Sequence, residues 1–193
     1  DNYTFTSCET SRVFFGAMNF ESPVTSDPAV RKAIAMGIDK EGFVETLLGG
    51  NGYPAAGVYP DNVSFGGDVV SAESYDPEGA KQVLEEAGWV DTDGDGIREK
   101  DGTPLVLRWL TYPSRQEQPL LAESAQATLG EIGFQVEINN TADHNRIRTD
   151  SDAWDIYVSA MVTAPAGDPE YFFNYHCLDS SGNNDGHYHS DRL

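Results

Sequence analysis

The apolar positions along the chain follow two different periods, and these periods predict where helices and strands form. Residues 12–20 join aromatic and apolar side chains in one run, which predicts a buried strand. After it, Asp27 and Pro28 have the types expected of a helix cap and a first helical residue. Apolar residues then recur at every fourth position, which places them on one helix face. That face is formed by Val30, Ile34 and Ile38.

The same signals recur through the rest of the chain. Asp76 and Pro77 repeat the cap and start of a helix that Gly88 ends, and residues 51–67 are dense in Gly and Pro, which predicts a loop. The further predicted elements are a helix after Asp39, strands at 103–112, 134–138 and 154–162, and helices at 115–133, near 143–150 and after Asp168. Helices that alternate with strands indicate an α/β layer architecture, and no repeat or linker divides it. We therefore expect one lobe over residues 1–193.

The charge of the chain excludes two classes of partner. Its 193 residues include 32 acidic and 12 basic side chains, which gives a formal net charge of −20. Nucleic acids and anionic membrane surfaces are bound mainly through Lys and Arg, so neither is expected as a partner. An aromatic content of 11% is enough to build a core, and we expect a folded domain despite the charge.

The two ends of the chain and its two cysteines do not indicate in which cellular compartment the protein acts. The first residues lack the basic and apolar regions of a secretory signal, and no run approaches the roughly 20 apolar residues that span a bilayer. Both ends are abrupt, so we expect the chain to be an excised piece of a longer protein. Cys8 and Cys177 lack the CxxC spacing of a zinc or redox site, and their pairing is left open.

An acidic loop matches the first half of a calcium-binding loop. Asp91, Asp93 and Asp95 stand at alternate positions before Gly96, as calcium ligands do. The twelfth position, where a bidentate Glu is needed, is Gly102. We therefore expect a tight hairpin turn in which the Asp side chains accept backbone N–H groups. A weak calcium site, and with it a calcium-stabilised interaction module, is the alternative.

Three of the four histidines lie near the end of the chain and form a second candidate metal site. His176, His187 and His189 fall within the last eighteen residues, and imidazole is a common ligand of transition metals. The alternatives are surface histidines or, less favoured, a metal-dependent hydrolase that uses these three side chains. The sequence contains no HExxH, GxSxG, P-loop or dinucleotide-binding glycine motif, so an enzyme is not expected.

The order of several segments resembles a known family. The segments are VRKAIAMGIDKEGFVETLLGGNGYPAAGVYP, YDPEGAKQVLEEAGWVDTDGDGIREKDGTPLVLRWLTY, LLAESAQATLGEIGFQVEI, and GDPEYFF followed by GNNDGHYHSDRL. Together they resemble the family 5 solute-binding proteins of ABC importers, the peptide and nickel type. In that family the acidic DxDGDG turn is commonplace, which favours the hairpin over a calcium site.

The resemblance implies a fold, a place and a set of partners. It implies one lobe of a type II periplasmic-binding-protein-like fold, with a mixed sheet flanked by helices, that forms the second lobe of a longer two-lobe protein. It further implies an extracytoplasmic monomer that captures a small solute between its two lobes and delivers it to the permease and ATPase subunits of the importer. No resident cofactor is implied, and the ligand would be a nickel ion, a metal chelate or a peptide-like solute.

The residues that match the family's ligand positions favour a metal chelate over an ordinary peptide. Peptide-binding members of the resembled family share an Asp shortly before the final Asp-Pro, and this Asp pairs with the peptide amine. Residues 163–167 contain no acid. The same members also share an Arg near the position that Tyr112 occupies here. The Ala-Pro pair here looks more like nickel-binding members, which have an aromatic residue before it and a histidine after it; the aromatic is missing. The resulting candidate ligand-binding residues are Tyr112, Thr163, Ala164, Pro165, Ala166, His176 and His187.

Overall fold

The main sheet is mixed and has four strands. The computed structural model describes residues 4, 6, 8–66 and 70–191. The strands of the sheet stand in the order β1, β6, β4, β5, with β1 antiparallel to β6 and the other neighbours parallel. A separate two-stranded hairpin is formed by β2 and β3. The strand bounds are Arg12–Met18 (β1), Glu99–Lys100 (β2), Thr103–Pro104 (β3), Val106–Thr111 (β4), Gln135–Asn140 (β5) and Ile156–Val162 (β6).

The helices begin at the residues that the capping pattern indicates. Asp27 and Asp76 accept the backbone N–H of Ala29 and Gly79 and so cap the first turns of α1 and α3. The α-helical bounds are Pro28–Gly37 (α1), Lys40–Gly42 (α2), Pro77–Glu86 (α3), Glu117–Gly130 (α4), His144–Ile147 (α5) and Tyr171–His176 (α6). Together these helices and the sheet confirm the predicted α/β class with a mixed sheet.

Two predicted helices differ from the structure in their details. The helix after Asp39 is α-helical only over α2 and continues as a π-helical turn, Phe43–Leu47. The last helix begins at Tyr171 rather than directly behind Asp168, because a short 3-10 turn, Pro165–Gly167, precedes it and Asp168 accepts the N–H of Glu170. No helix among residues 4, 6, 8–66 and 70–191 combines the length and the apolar character needed to cross a bilayer.

One face of the sheet carries the large core. Leu107, Trp109, Val136, Ile156 and Val158 point from the strands toward the helices and are buried among apolar residues of α1, α3 and α4. Because side chains alternate along a strand, the intervening residues point to the opposite face. There Leu110, Tyr112, Trp154 and Tyr157 form a second, smaller cluster.

A buried carboxylate connects three segments of the chain. Asp155 exposes 1% of its surface, and its two carboxylate oxygens accept hydrogen bonds from Ser22 Oγ and from three nitrogens of Arg108. These nitrogens are the backbone N–H, Nε and Nη2. The Asp155 carbonyl also accepts from the backbone of Asn19. The residue therefore joins the start of β6 to β4 and to the loop after β1.

A second polar contact fixes α1 against the hairpin segment. Asp27 Oδ2 accepts hydrogen bonds from Trp89 Nε1 at 3.0 Å and from Lys100 Nζ at 2.8 Å. Burial by itself would raise the pKa of Asp27, but the bonds from Lys100, Trp89 and Ala29 outweigh it, so the pKa lies below its usual value. The helix cap is therefore also a tertiary contact.

Candidate functional site

Two of the predicted ligand-binding segments follow strands of the sheet at their carboxyl ends. The strands β4, β5 and β6 run parallel, so their carboxyl ends meet at one edge. Tyr112 follows β4 directly, and Thr163 follows β6. Ligands of α/β sheets bind outside this edge, which makes it the first place to look for a site. No signal in the sequence specifies the register of these two strands.

The segment after β6 is partly buried and tightly turned. Thr163 and Ala164 are buried, whereas Pro165 is half-buried and Ala166 is exposed with a φ of 54°. The Thr163 hydroxyl has no hydrogen-bond partner within the described part of the chain. Buried hydroxyls are normally bonded, so this one lacks the partner that burial usually brings, within the same described residues. The prediction that these residues bind ligand stays a prediction.

Tyr112 lies in an aromatic stack rather than at an open strand end. Its ring stacks on the His144 imidazole with centroids 4.3 Å apart, and His144 Nδ1 lies 2.9 Å from the Tyr157 hydroxyl. Tyr112 exposes 7% of its surface. Burial, followed by the charge of Arg148, lowers the pKa of His144 below its ordinary value, so the imidazole in the stack is neutral at pH 7. His144 was missed as a site residue, because nothing in its polar helix indicates contact with Tyr112, thirty-two positions earlier.

His176 lies in an apolar environment under the second face of the sheet. Its Nε2 is 3.1 Å from Met161 Sδ, and its ring packs on Phe15, Phe172 and Tyr175 with centroids 4.7 to 5.2 Å apart. Burial is the main cause that lowers the pKa of His176 to about 4. A backbone hydrogen bond with Asn183 opposes the shift, and the charge of Arg148 adds to it.

This burial makes the stability of the fold sensitive to pH. Because the folded-state pKa of His176 lies below the ordinary value of 6.5, the unfolded chain binds the extra proton first. The contribution of the neutral His176 side chain to the free energy of unfolding is therefore fully present above pH 6.5, and it is lost as the pH falls from about 6.5 to about 4. In urea unfolding we expect the free energy of unfolding to fall by about 2 kcal/mol across this window, a value that allows for solvent screening of a half-buried ring. His176→Gln should not show this fall. An equal loss in both proteins would contradict it.

The other two C-terminal histidines have separate partners. His187 Nε2 lies 3.4 Å from Glu21, and His189 lies between Asp179 and Asp191 on the surface. Within the described ranges, His176, His187 and His189 do not form a group whose metal-ligating atoms lie within 4.8 Å of one another. The structure thus places the three imidazoles in three different settings.

A polar cavity lies beside His187. Its volume is about 510 Å³, and Arg148, Asp179, Asp185 and His187 are among its lining residues. Arg148 pairs with Asp185 at 3.2 Å. Burial raises the pKa of Asp185, against the opposing charges of Arg148 and His187. His187 thus faces a cavity, as a ligand-binding residue would.

The acidic loop has the turn structure that the sequence indicates. Asp91 accepts the N–H groups of Gly94 and Gly96, and Asp95 accepts that of Ile97. The oxygens that lie within 4.8 Å of one another belong to Asp91, Asp93 and Glu99, so Glu99 takes the place expected of Asp95. The carboxylates hold the loop by local bonds, as the hairpin interpretation requires.

The two cysteines do not pair with each other. Cys8 is exposed, Cys177 is half-buried, and both thiols are free. Burial raises the pKa of the Cys177 thiol, which makes it less reactive than an exposed one.

Comparison with known proteins gives a consistent result over nearly the whole chain. Residues 1–184 match the family described as bacterial extracellular solute-binding proteins, family 5 Middle. The oligopeptide-binding protein AppA of Bacillus subtilis is 34% identical over 134 residues, which are 66% of this chain and 24% of that protein. The nickel-binding periplasmic protein of Escherichia coli is 30% identical over 122 residues, which are 63% of this chain and 23% of that protein.

A solved structure agrees with the sequence matches. The nickel ABC transporter protein from Bacillus halodurans is 29% identical and superposes with a TM-score of 0.85 over 96% of this chain and 38% of its own. The chain spans about a quarter of the length of these two curated relatives. The family match covers most of the sequence and the superposition covers the fold, as the resemblance predicted. This chain belongs to the bacterial extracellular solute-binding proteins of family 5.

Proposed function

We propose that the chain is one lobe of the substrate-binding component of an ABC importer, which acts outside the cytoplasm and is not an enzyme. It would form one wall of a cleft that closes on a solute, with the other lobe supplied by the same protein. The closed form would deliver the solute to the permease and ATPase subunits. The family match over residues 1–184 supports this function.

The solute we propose is a metal chelate, such as a nickel complex, rather than an ordinary peptide. Relatives named for oligopeptides and for nickel match the chain at similar identity, so the choice depends on the site itself. The observation that carries it is the lack of an acid in residues 163–167 at the carboxyl edge of the sheet. A buried peptide ammonium without a counter-charge would cost roughly 3–5 kcal/mol.

The aromatic stack at the same edge supports this choice. Tyr112 stands where a dipeptide carboxylate would need a cationic side chain, and its buried ring packs on His144 instead. A tyrosine lacks the bidentate charged contact by which Arg holds a carboxylate. Neither of the two positions that the resemblance assigns to the ends of a dipeptide therefore carries a charged partner.

Thr163→Val separates a role in binding from a role in folding. Since the Thr163 hydroxyl is buried without a partner in the described part of the chain, replacing it by a methyl group removes an unsatisfied polar group, and we expect the free energy of unfolding to stay unchanged or to rise by up to about 1 kcal/mol. In the full-length protein we expect solute affinity to fall about tenfold, since a hydrogen bond to the bound solute is lost. Thermal unfolding and titration of the same two proteins check this. A fall in stability without a fall in affinity would remove Thr163 from the site.

A thermal-shift panel on the full-length protein tests the function as a whole. A solute present at 100 times its Kd raises the free energy of unfolding by about 2.7 kcal/mol. We expect Ni(II) complexes of small carboxylate or amino-acid chelators to raise the melting temperature, while free Ni(II) and dipeptides leave it unchanged. The chelators without metal are the control. A panel in which no solute of either class shifts the melting temperature would contradict a solute-binding role.

A further inference from the structure

His176 and Met161 place two soft donor atoms side by side. Met161 is the sixth residue of β6 and His176 is the last residue of α6, so the contact joins the sheet to the helix beneath it. The 3.1 Å between Nε2 and Sδ directs a ring nitrogen at a thioether sulfur. A thioether is a weak hydrogen-bond acceptor but a good ligand for a soft metal ion.

The surroundings of this pair are aromatic. Phe15, Phe172 and Tyr175 pack around the imidazole, and Phe15 and Phe172 also pack edge to face with centroids 5.2 Å apart. The backbone of Asn183 hydrogen-bonds the same imidazole. A backbone contact of this kind fixes the orientation of a histidine that binds a metal. The aromatic faces can also stabilise a nearby positive charge.

We propose that His176 Nε2 and Met161 Sδ bind a soft monovalent metal ion, Cu(I), for which Ag(I) serves as a laboratory probe. Transferring an ion into an apolar environment costs less for one charge than for two, so the aromatic surroundings favour a monovalent ion. Thioether and imidazole both suit copper. The nearby described residues do not supply the further carboxylate, thiolate or imidazole ligands that a tetrahedral divalent site requires.

The pair needs only a small movement to admit an ion. With metal–nitrogen and metal–sulfur bonds of about 2.0 and 2.3 Å, as zinc makes, the two donors stand about 3.5 Å apart at a tetrahedral angle and about 4.3 Å apart when the two bonds are collinear. The observed 3.1 Å is shorter than these spacings by about 0.4 to about 1.2 Å. The flexible methionine side chain can supply the difference by a change of rotamer. His176 is thus assigned to a metal site with Met161 instead of to the solute site, for which Tyr112 and Thr163 stay candidates.

Titration with Ag(I) under NMR observation tests the site. The whole chain carries Cys8→Ser and Cys177→Ser, so that the free thiols do not compete for the metal. We expect one equivalent of Ag(I) to shift the Met161 methyl and His176 ring signals together. Met161→Leu and His176→Gln should each lower the Ag(I) affinity at least tenfold, measured by competition with a soft-metal chelator, and Cu(I) should show the same order.

Matched variants elsewhere keep the result interpretable. Met18→Leu and His189→Asn remove the same groups outside the site and should leave the affinity unchanged. Circular dichroism confirms that each variant is folded. One-equivalent binding that survives Met161→Leu and His176→Gln would overturn the proposal, as would titration without a shift of the Met161 methyl signal.

Discussion

Replacing Asp155 with Ala is expected to lower the free energy of unfolding by about 3–5 kcal/mol. The Asp155 carboxylate is 1% exposed and accepts from Ser22 and from three nitrogens of Arg108. Its removal leaves the Arg108 N–H groups and the Ser22 hydroxyl without their acceptor, and it separates β4 from the loop after β1. Breaking one partner of a buried pair costs more than the pair contributes, because the remaining group is unsatisfied.

Urea unfolding with a matched control checks the Asp155 result. Asp152→Ala removes a neighbouring exposed carboxylate but keeps the backbone carbonyl that Arg108 also contacts, so its unfolding free energy should change by less than about 0.5 kcal/mol. Asp155→Asn keeps the shape and loses the charge, and should fall between the two. Equal effects of Asp155→Ala and Asp152→Ala would show that the buried network does not hold the strands together.

Trp89→Ala is expected to cost about 3–5 kcal/mol of stability. The Trp89 side chain is 2% exposed in the main core, so truncation leaves a large cavity, and its Nε1 no longer reaches Asp27. Trp89→Phe keeps a six-membered ring but loses the pyrrole part of the indole and the hydrogen bond, so about 2 kcal/mol is expected. Chemical denaturation of the unaltered protein, Trp89→Ala and Trp89→Phe measures both losses of stability. A loss as small for Ala as for Phe would mean that the core closes over the missing ring.

Local signals in the sequence were enough to predict the elements of the fold. Asp27, Asp39 and Asp76 act through backbone groups two or three residues away, so their role as caps can be inferred from their neighbours alone. The acidic loop is equally local, because Asp91 and Asp95 bond to residues that follow them closely. The alternation of helices and strands indicated the α/β class, and the family resemblance, which depends on the order of segments, added the type II periplasmic-binding-protein-like fold.

The contacts that shape the sites are long-range and left no such signal. Asp155 lies inside a run that predicts a strand, and its partners Arg108 and Ser22 are 47 and 133 positions away. Met161 has the pattern of an ordinary strand residue, and only the fold of α6 brings His176 to its sulfur. The strand register decides such encounters, and it follows from the packing of the whole sheet.

The absence of a counter-charge in residues 163–167 is tested most directly by calorimetric titration of the full-length protein. Two solutes are compared under the same conditions, a Ni(II)–histidine complex and a dipeptide with a free amine and a free carboxylate. We predict that the nickel complex binds at least a hundredfold more tightly, since the dipeptide finds no partner for its charged ends beside Tyr112 and Thr163. Tight binding of the dipeptide, with the nickel complex bound weakly or not at all, would contradict the account.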